Sequence, residues 1–167
     1  MFDLKPLSAE SIPAALEKAH LYRMLNQPEQ AESICHDILA VEPDNQLALV
    51  RLLLAITDRF ADSRPEPAQK ARDLLPRLHS QYEREYYAGI ICERLALARL
   101  RSGMPQAGEL AYDFFRDAMT HYERAQQLRP PANDDSLLRW NSCARMILAY
   151  PDVRPTVQEQ PVGVTGD

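Results

Sequence analysis

Prolines divide this sequence into segments whose apolar residues recur at helical spacing. Pro28 and Pro43 bound one such segment, in which Ile34, Ile38 and Val41 follow one another four and three residues apart. That spacing places the three side chains on one face of an α-helix. Two signals of β-structure, Asn-Gly or Asp-Gly turns and alternating β-branched runs, are absent from the sequence. The pattern therefore predicts an all-α chain.

The breaks between segments predict seven helices joined by short turns, running from about 11 to 25, 28 to 41, 45 to 60, 67 to 81, 83 to 101, 105 to 128 and 135 to 149. Asp44 or Asn45 is the expected cap of the third helix. Pro76 must kink or split the fourth, because a proline inside a helix removes a backbone hydrogen bond and clashes with the preceding turn. Helices joined in this way form either a closed bundle or a solenoid of stacked helix pairs.

Two segments, 12–45 and one near the C-terminus, carry residues at the same fixed offsets, several of them small or aromatic. The first set is Ala15, Lys18, Ala19, Tyr22, Ala31, Cys35 and Pro43, and the second is Trp140, Cys143, Ala144 and Ile147. These offsets resemble those of the tetratricopeptide repeat (TPR), a helix–turn–helix unit of about 34 residues. Segment 12–45 is similar to one whole unit and segment 137–147 to the first helix of another, whereas the middle of the chain matches less well.

The resemblance implies a short right-handed solenoid of antiparallel helix pairs over residues 1–150. In such folds the first helix of each pair lines a concave groove that binds a partner peptide or subunit. The implied groove residues are His20, Arg23, Met24, Val50, Leu54, Asp58, Glu93, Leu97, Arg101, Asn141 and Arg145. A clamp for a C-terminal carboxylate is not expected, because Leu16 and His20 stand where the family's clamp needs Lys and Asn.

A second candidate surface is aromatic. Tyr82, Tyr86 and Tyr87 lie close together in the sequence, and residues four apart share a helix face. Further along, aromatic residues cover an arc too wide for one buried stripe, which leaves Phe114 or Phe115 for an exposed partner patch. The alternative for the tyrosines is ordinary packing between helices, with their hydroxyls at the rim.

Several classes of function lack their sequence signals. The chain has no Gly-rich phosphate loop, no His-Glu-x-x-His motif and no nucleophile elbow, so we expect neither an enzyme nor a bound cofactor. Cys35, Cys92 and Cys143 are widely spaced, which argues against a zinc site and predicts buried thiols in a reducing, cytoplasmic setting. The net charge of -5 argues against nucleic-acid binding, and without an apolar run of about 18 residues we expect no membrane insertion.

These observations favour a non-enzymatic protein–protein interaction module of the cytoplasm, such as an adaptor, scaffold or assembly subunit. One alternative is a dedicated chaperone for a single client protein, as in bacterial secretion systems. Another is an RNA-binding helical repeat, although Asp58 and Glu93 would interrupt the arginine stripe that RNA requires. The partner is expected to be a protein, and association of the chain with itself into a homo-oligomer is a further alternative.

The last segment, 151–167, contains three prolines, two glycines and four valines. This composition is typical of an extended tail rather than of a packed element. The spacing of the valines nevertheless suits a shallow apolar groove. We expect the tail to dock near the C-terminal helices of this chain or of a partner, with marginal stability, because ordering each residue costs about 1–2 kcal/mol.

Overall fold

The computed structural model describes residues 2–60 and 66–156, and within them the chain forms seven α-helices and no strand. The helices are α1 (Ile12–Met24), α2 (Pro28–Val41), α3 (Gln46–Asp58), α4 (Glu66–Leu74), α5 (Gln81–Arg101), α6 (Ala107–Leu128) and α7 (Asp135–Ala149). Single turns of 3-10 helix precede α1 and follow α4. The all-α fold class is confirmed, and α2 and α7 have the predicted bounds.

Two helices begin where a polar side chain can accept a hydrogen bond from the first turn. The Asn45 side chain accepts a hydrogen bond from the Ala48 amide at 2.9 Å and caps α3, as expected. The Ser80 hydroxyl accepts one from the Glu83 amide at 3.3 Å. Because this cap satisfies an amide that would otherwise lack a partner, α5 begins at Gln81 rather than at residue 83.

Backbone constraints set two other helix limits. The helix α4 ends at Leu74, and Pro76 lies in the 3-10 turn Leu75–Arg77 that follows it, which confirms the predicted break. At the start of α6, Gln106 adopts a left-handed φ of 61°. This conformation lies outside the helical region, so α6 begins at Ala107 rather than at residue 105.

Each helix packs mainly on its neighbours in the sequence, and α5 with α6 forms the most extensive pair. In the first pair, Ala19 of α1 and Ala31 of α2 are fully buried, as is Cys35. Small side chains let two helices approach closely. The helices α1 and α3 are also in contact, as are α3 and α5, whereas the described parts of α1 and α7 make no substantial contact. This order of packing is consistent with a helical repeat.

Apolar side chains are buried in two clusters. The first is formed by α1 to α4 together with Ile91 of α5. The second is formed by α5 to α7 together with Val153, which follows α7. Leu54 of α3 and Tyr87 of α5 pack against both clusters. The two halves of the chain are therefore joined through α3 and α5.

The chain returns to the α5–α6 pair after α7. Val153 is buried in the second cluster, and Gly108 of α6 lies so close to the Asp152 carbonyl that a Cβ atom at residue 108 would overlap its oxygen. The rest of the predicted tail, 157–167, lies outside the described residues. The predicted loop 61–66 lies outside them as well, except for Glu66, which begins α4.

The three cysteines are free and buried. Burial in apolar surroundings disfavours the thiolate and so raises the thiol pKa from its ordinary value of 9.0. The pKa rises to about 11 for Cys35 and Cys92 and to about 12 for Cys143. In the unfolded chain the same thiols ionise near their ordinary pKa.

The free energy of unfolding should therefore fall as the pH rises from 8 to 10. Over that interval the unfolded state loses thiol protons that the folded state keeps, which costs about 1.3 kcal/mol per thiol and roughly 4 kcal/mol for the three. Urea unfolding at a series of pH values, under reducing conditions, measures this slope. Cys35→Ala should reduce the pH dependence by the contribution of one thiol, about one third. A free energy of unfolding that does not change with pH up to 10 would contradict the burial of the thiols.

Candidate functional site

Ion pairs join the first helices of successive pairs. Asp58 of α3 accepts a hydrogen bond from Arg23 Nε of α1 at 2.9 Å, and its other carboxylate oxygen lies 3.7 Å from Arg94 Nη1 of α5. A second ion pair also joins α3 to α1, because Arg51 Nη2 donates a hydrogen bond to Glu17 Oε1 at 3.2 Å. We call the surface formed by Glu17, Arg23, Arg51, Asp58 and Arg94 the first-helix surface.

The first-helix surface has an excess of positive charge. It carries three guanidinium groups and two carboxylates, although the whole chain has a net charge of -5. The Asp58 carboxylate is shared between two of these arginines. Arg94 has the most exposed side chain of the three arginines, at 33%, and its ion-pair distance of 3.7 Å is the longest of the three. Its remaining N–H groups can therefore donate to an incoming carboxylate.

Several of the predicted groove residues lie on or beside this surface. Arg23 and Asp58 belong to it, and the half-buried Leu54 is one turn before Asp58 on α3. Leu97 and Arg101 follow Arg94 at three and seven residues, which is the spacing of one helix face. Of the remaining residues, His20, Met24 and Arg145 are exposed, and Asn141 is half-buried.

Two predicted groove residues are interior, which corrects the prediction. Val50 is buried in the first cluster, and Glu93 is only 5% exposed. For Glu93 the cause is the helical phase of α5, because the middle of the sequence resembles the repeat least well and does not define that phase. The adjacent residue, Arg94, contacts Asp58 instead. Sequence reasoning missed this role, although Arg94, Leu97 and Arg101 share one helix face.

The predicted aromatic patch is largely packing between helices. The rings of Tyr82 and Tyr86 stack with centroids 5.7 Å apart, and Tyr87 meets Tyr86 edge-on at 5.2 Å. All three tyrosines are half-buried, as is Phe114. Phe115 is fully buried, which corrects the expectation that it could be exposed. Its helix, α6, packs on both α5 and α7, and this accounts for the wide apolar arc.

The interior Glu93 forms a closed polar network. Its Oε2 accepts a hydrogen bond from the Tyr122 hydroxyl at 2.6 Å, and its Oε1 accepts one from Arg139 Nη1 at 3.1 Å. Desolvation, reinforced by the neighbouring Glu93 carboxylate, raises the pKa of Tyr122 above its ordinary value of 10.0. Gly89 makes room for this tyrosine, because a Cβ there would lie 2.5 Å from the ring. The network joins α5, α6 and α7, and both oxygens of the carboxylate are occupied.

The described residues 2–60 and 66–156 contain no group of three or more His, Cys, Asp or Glu side chains placed to hold a metal ion. Nor does this part of the chain contain a helix with the length and apolar character that crossing a bilayer requires.

Comparison with known proteins gives no family. No family model, no curated protein and no solved structure matches the chain.

Replacement of Tyr122 by phenylalanine should lower the free energy of unfolding by about 2 kcal/mol. The substitution removes a buried hydrogen bond to a charged acceptor and leaves one oxygen of Glu93 without a partner. Urea unfolding measures the loss. The matched control is Tyr150→Phe, because Tyr150 is exposed and its hydroxyl should contribute nothing measurable. Equal stabilities for the two variants would mean that the bond to Glu93 does not stabilise the fold.

Proposed function

We propose that the chain is a non-enzymatic protein-interaction module that binds a segment of a partner protein on its first-helix surface. The observation that supports this function is the direct joining of α1, α3 and α5 through Arg23, Asp58 and Arg94. Helices that are adjacent in this way present one continuous surface, three helices wide. Such a surface can hold an extended or helical segment along its length.

The chemistry of the surface favours a partner segment that combines acidic and apolar side chains. Acidic groups would pair with Arg94 and with the exposed Arg101, since guanidinium groups bind carboxylates through two parallel hydrogen bonds. Apolar groups would contact Leu54 and Leu97, which are half-buried, and Met24, of which 71% is exposed. Recognition of one such segment in a partner protein is the role of an adaptor or assembly subunit.

The compartment proposed for this function is the cytoplasm. Three free thiols in the core are compatible with a reducing environment, where no disulfide has to form.

A photo-crosslinking side chain placed at Met24 or at Arg101 should capture the same partner protein in an extract of the source cells. Both positions are exposed and flank the first-helix surface on α1 and α5. The matched controls are Ser33 on α2 and Arg116 on α6, which are exposed on the second helices of their pairs. Capture at the control positions alone, or recovery of nucleic acid in place of protein, would contradict the proposal.

The substitution Arg94→Gln should then weaken binding of the captured partner about tenfold or more, because a hydrogen bond to a charged group contributes about 1.5–3 kcal/mol. Glutamine removes the charge without placing a second carboxylate beside Asp58. Titration with the purified partner measures the change, and Arg116→Gln should leave the affinity unaltered. Equal affinities for wild type and Arg94→Gln would place the binding site elsewhere on the molecule.

A further inference from the structure

The outer side of α7 carries a stripe of four residues, Leu138, Asn141, Arg145 and Leu148, which we call the α7 stripe. Their spacing of three, four and three residues is that of the seam positions in a two-heptad coiled coil. The two leucines are 61% and 84% exposed. Cys143, on the opposite side of the helix, is buried in the second cluster. The stripe therefore faces away from the core of its own chain.

Within residues 2–60 and 66–156, no further helix follows α7 along the chain. In the earlier pairs α2, α4 and α6 pack on the helices that precede them. After α7 the described chain instead leads to Val153, which is buried in the second cluster.

We propose that a second copy of the chain covers the α7 stripe, through an antiparallel pair of α7 helices about a twofold axis beside residue 143. In this register Leu138 packs on Leu148 of the partner subunit. Asn141 meets Arg145 of the partner subunit, whose guanidinium donates to the asparagine side-chain oxygen. By symmetry each contact is made twice.

The stripe is complementary to itself only in the antiparallel arrangement. Antiparallel coiled coils place each seam position opposite the other kind of seam position, so every leucine meets a leucine and every arginine meets an asparagine. A parallel pair would place Arg145 against Arg145 of the partner subunit, and like charges in direct contact oppose association. Ser142 and Ala149 flank the stripe with small side chains that let the two helices approach closely.

The expected dimer is weak. A pair of 15-residue helices with two leucines on each buries less than the roughly 1,600 Å² of a standard stable interface. We therefore expect a concentration-dependent equilibrium with a dissociation constant of about 10 μM to 1 mM.

Sedimentation equilibrium of the full chain, from about 10 μM to 2 mM, measures this association. Leu148→Glu should abolish it, since the glutamate would face an apolar side chain of the partner subunit. The matched control is Leu21→Glu on α1, a leucine that is 54% exposed and lies away from α7. A full chain that stays monomeric up to about 2 mM would overturn the proposal, and so would equal loss of association in both variants.

The register has its own test. Asn141→Asp should tighten the dimer by about threefold to tenfold and Asn141→Arg should weaken it by a similar factor, because each change acts on two symmetric contacts with Arg145.

Disulfide crosslinking tests the register directly. Under mild oxidation, the double variant Leu138→Cys, Leu148→Cys should give a disulfide-linked dimer, whereas Leu138→Cys alone should not. The two copies of residue 138 would lie about 15 Å apart in this register. Crosslinking by the single variant would mean a parallel pair and would overturn the proposed register.

Discussion

Two consecutive residues of α5, Glu93 and Arg94, make ionic contacts in different directions, Glu93 within the C-terminal half and Arg94 to α3 of the other half. Neighbouring residues on a helix point about 100° apart, so the two side chains face different helices. Glu93 is turned inwards, to Tyr122 and Arg139, and binds α6 and α7 to α5. Arg94 faces Asp58 and so contacts α3. A buried carboxylate is costly, and the two charged hydrogen bonds to Glu93 offset that cost only while α6 and α7 stay in place. The stability of the C-terminal half is therefore sensitive to the loss of any one of these three partners.

Most of the helical framework could be predicted from the sequence, because the signals that limit a helix act within a few residues. Pro28 opens α2, Asn45 caps α3 and Pro76 ends the helix of α4, each through its own backbone or side chain. The bounds of α5 were less accurate, since the Ser80 cap lies outside the apolar pattern from which the helix was identified. The buried alanines at the first crossing also agree with the sequence, because small residues at helical spacing mark a close approach.

The orientation of individual residues could not be predicted with the same success. Glu93 is charged, and composition alone places charged residues at the surface. Its interior position depends on Tyr122 and Arg139, which are 29 and 46 residues away in the sequence. Phe115 is a similar case, because its burial requires both α5 and α7 to cover α6. A local sequence pattern indicates whether a side chain tends to be buried or exposed, whereas its actual burial is set by helices that are distant in the sequence.

The two surfaces for which we propose partners differ in chemistry, and the Glu93 network lies between them. The first-helix surface is charged and includes Arg94 of α5, whereas the α7 stripe has an exposed leucine at each of its two ends. The hydrogen bond between Arg139 and Glu93 links α7 to α5, the helix that also carries Arg94 of the first-helix surface. A dimer formed through α7 would carry two first-helix surfaces in a fixed relation. A partner with two binding segments could then engage both, and the second contact would form at a high effective concentration. Weak association at each surface would suffice for tight assembly, provided that the interior carboxylate keeps the helices in register.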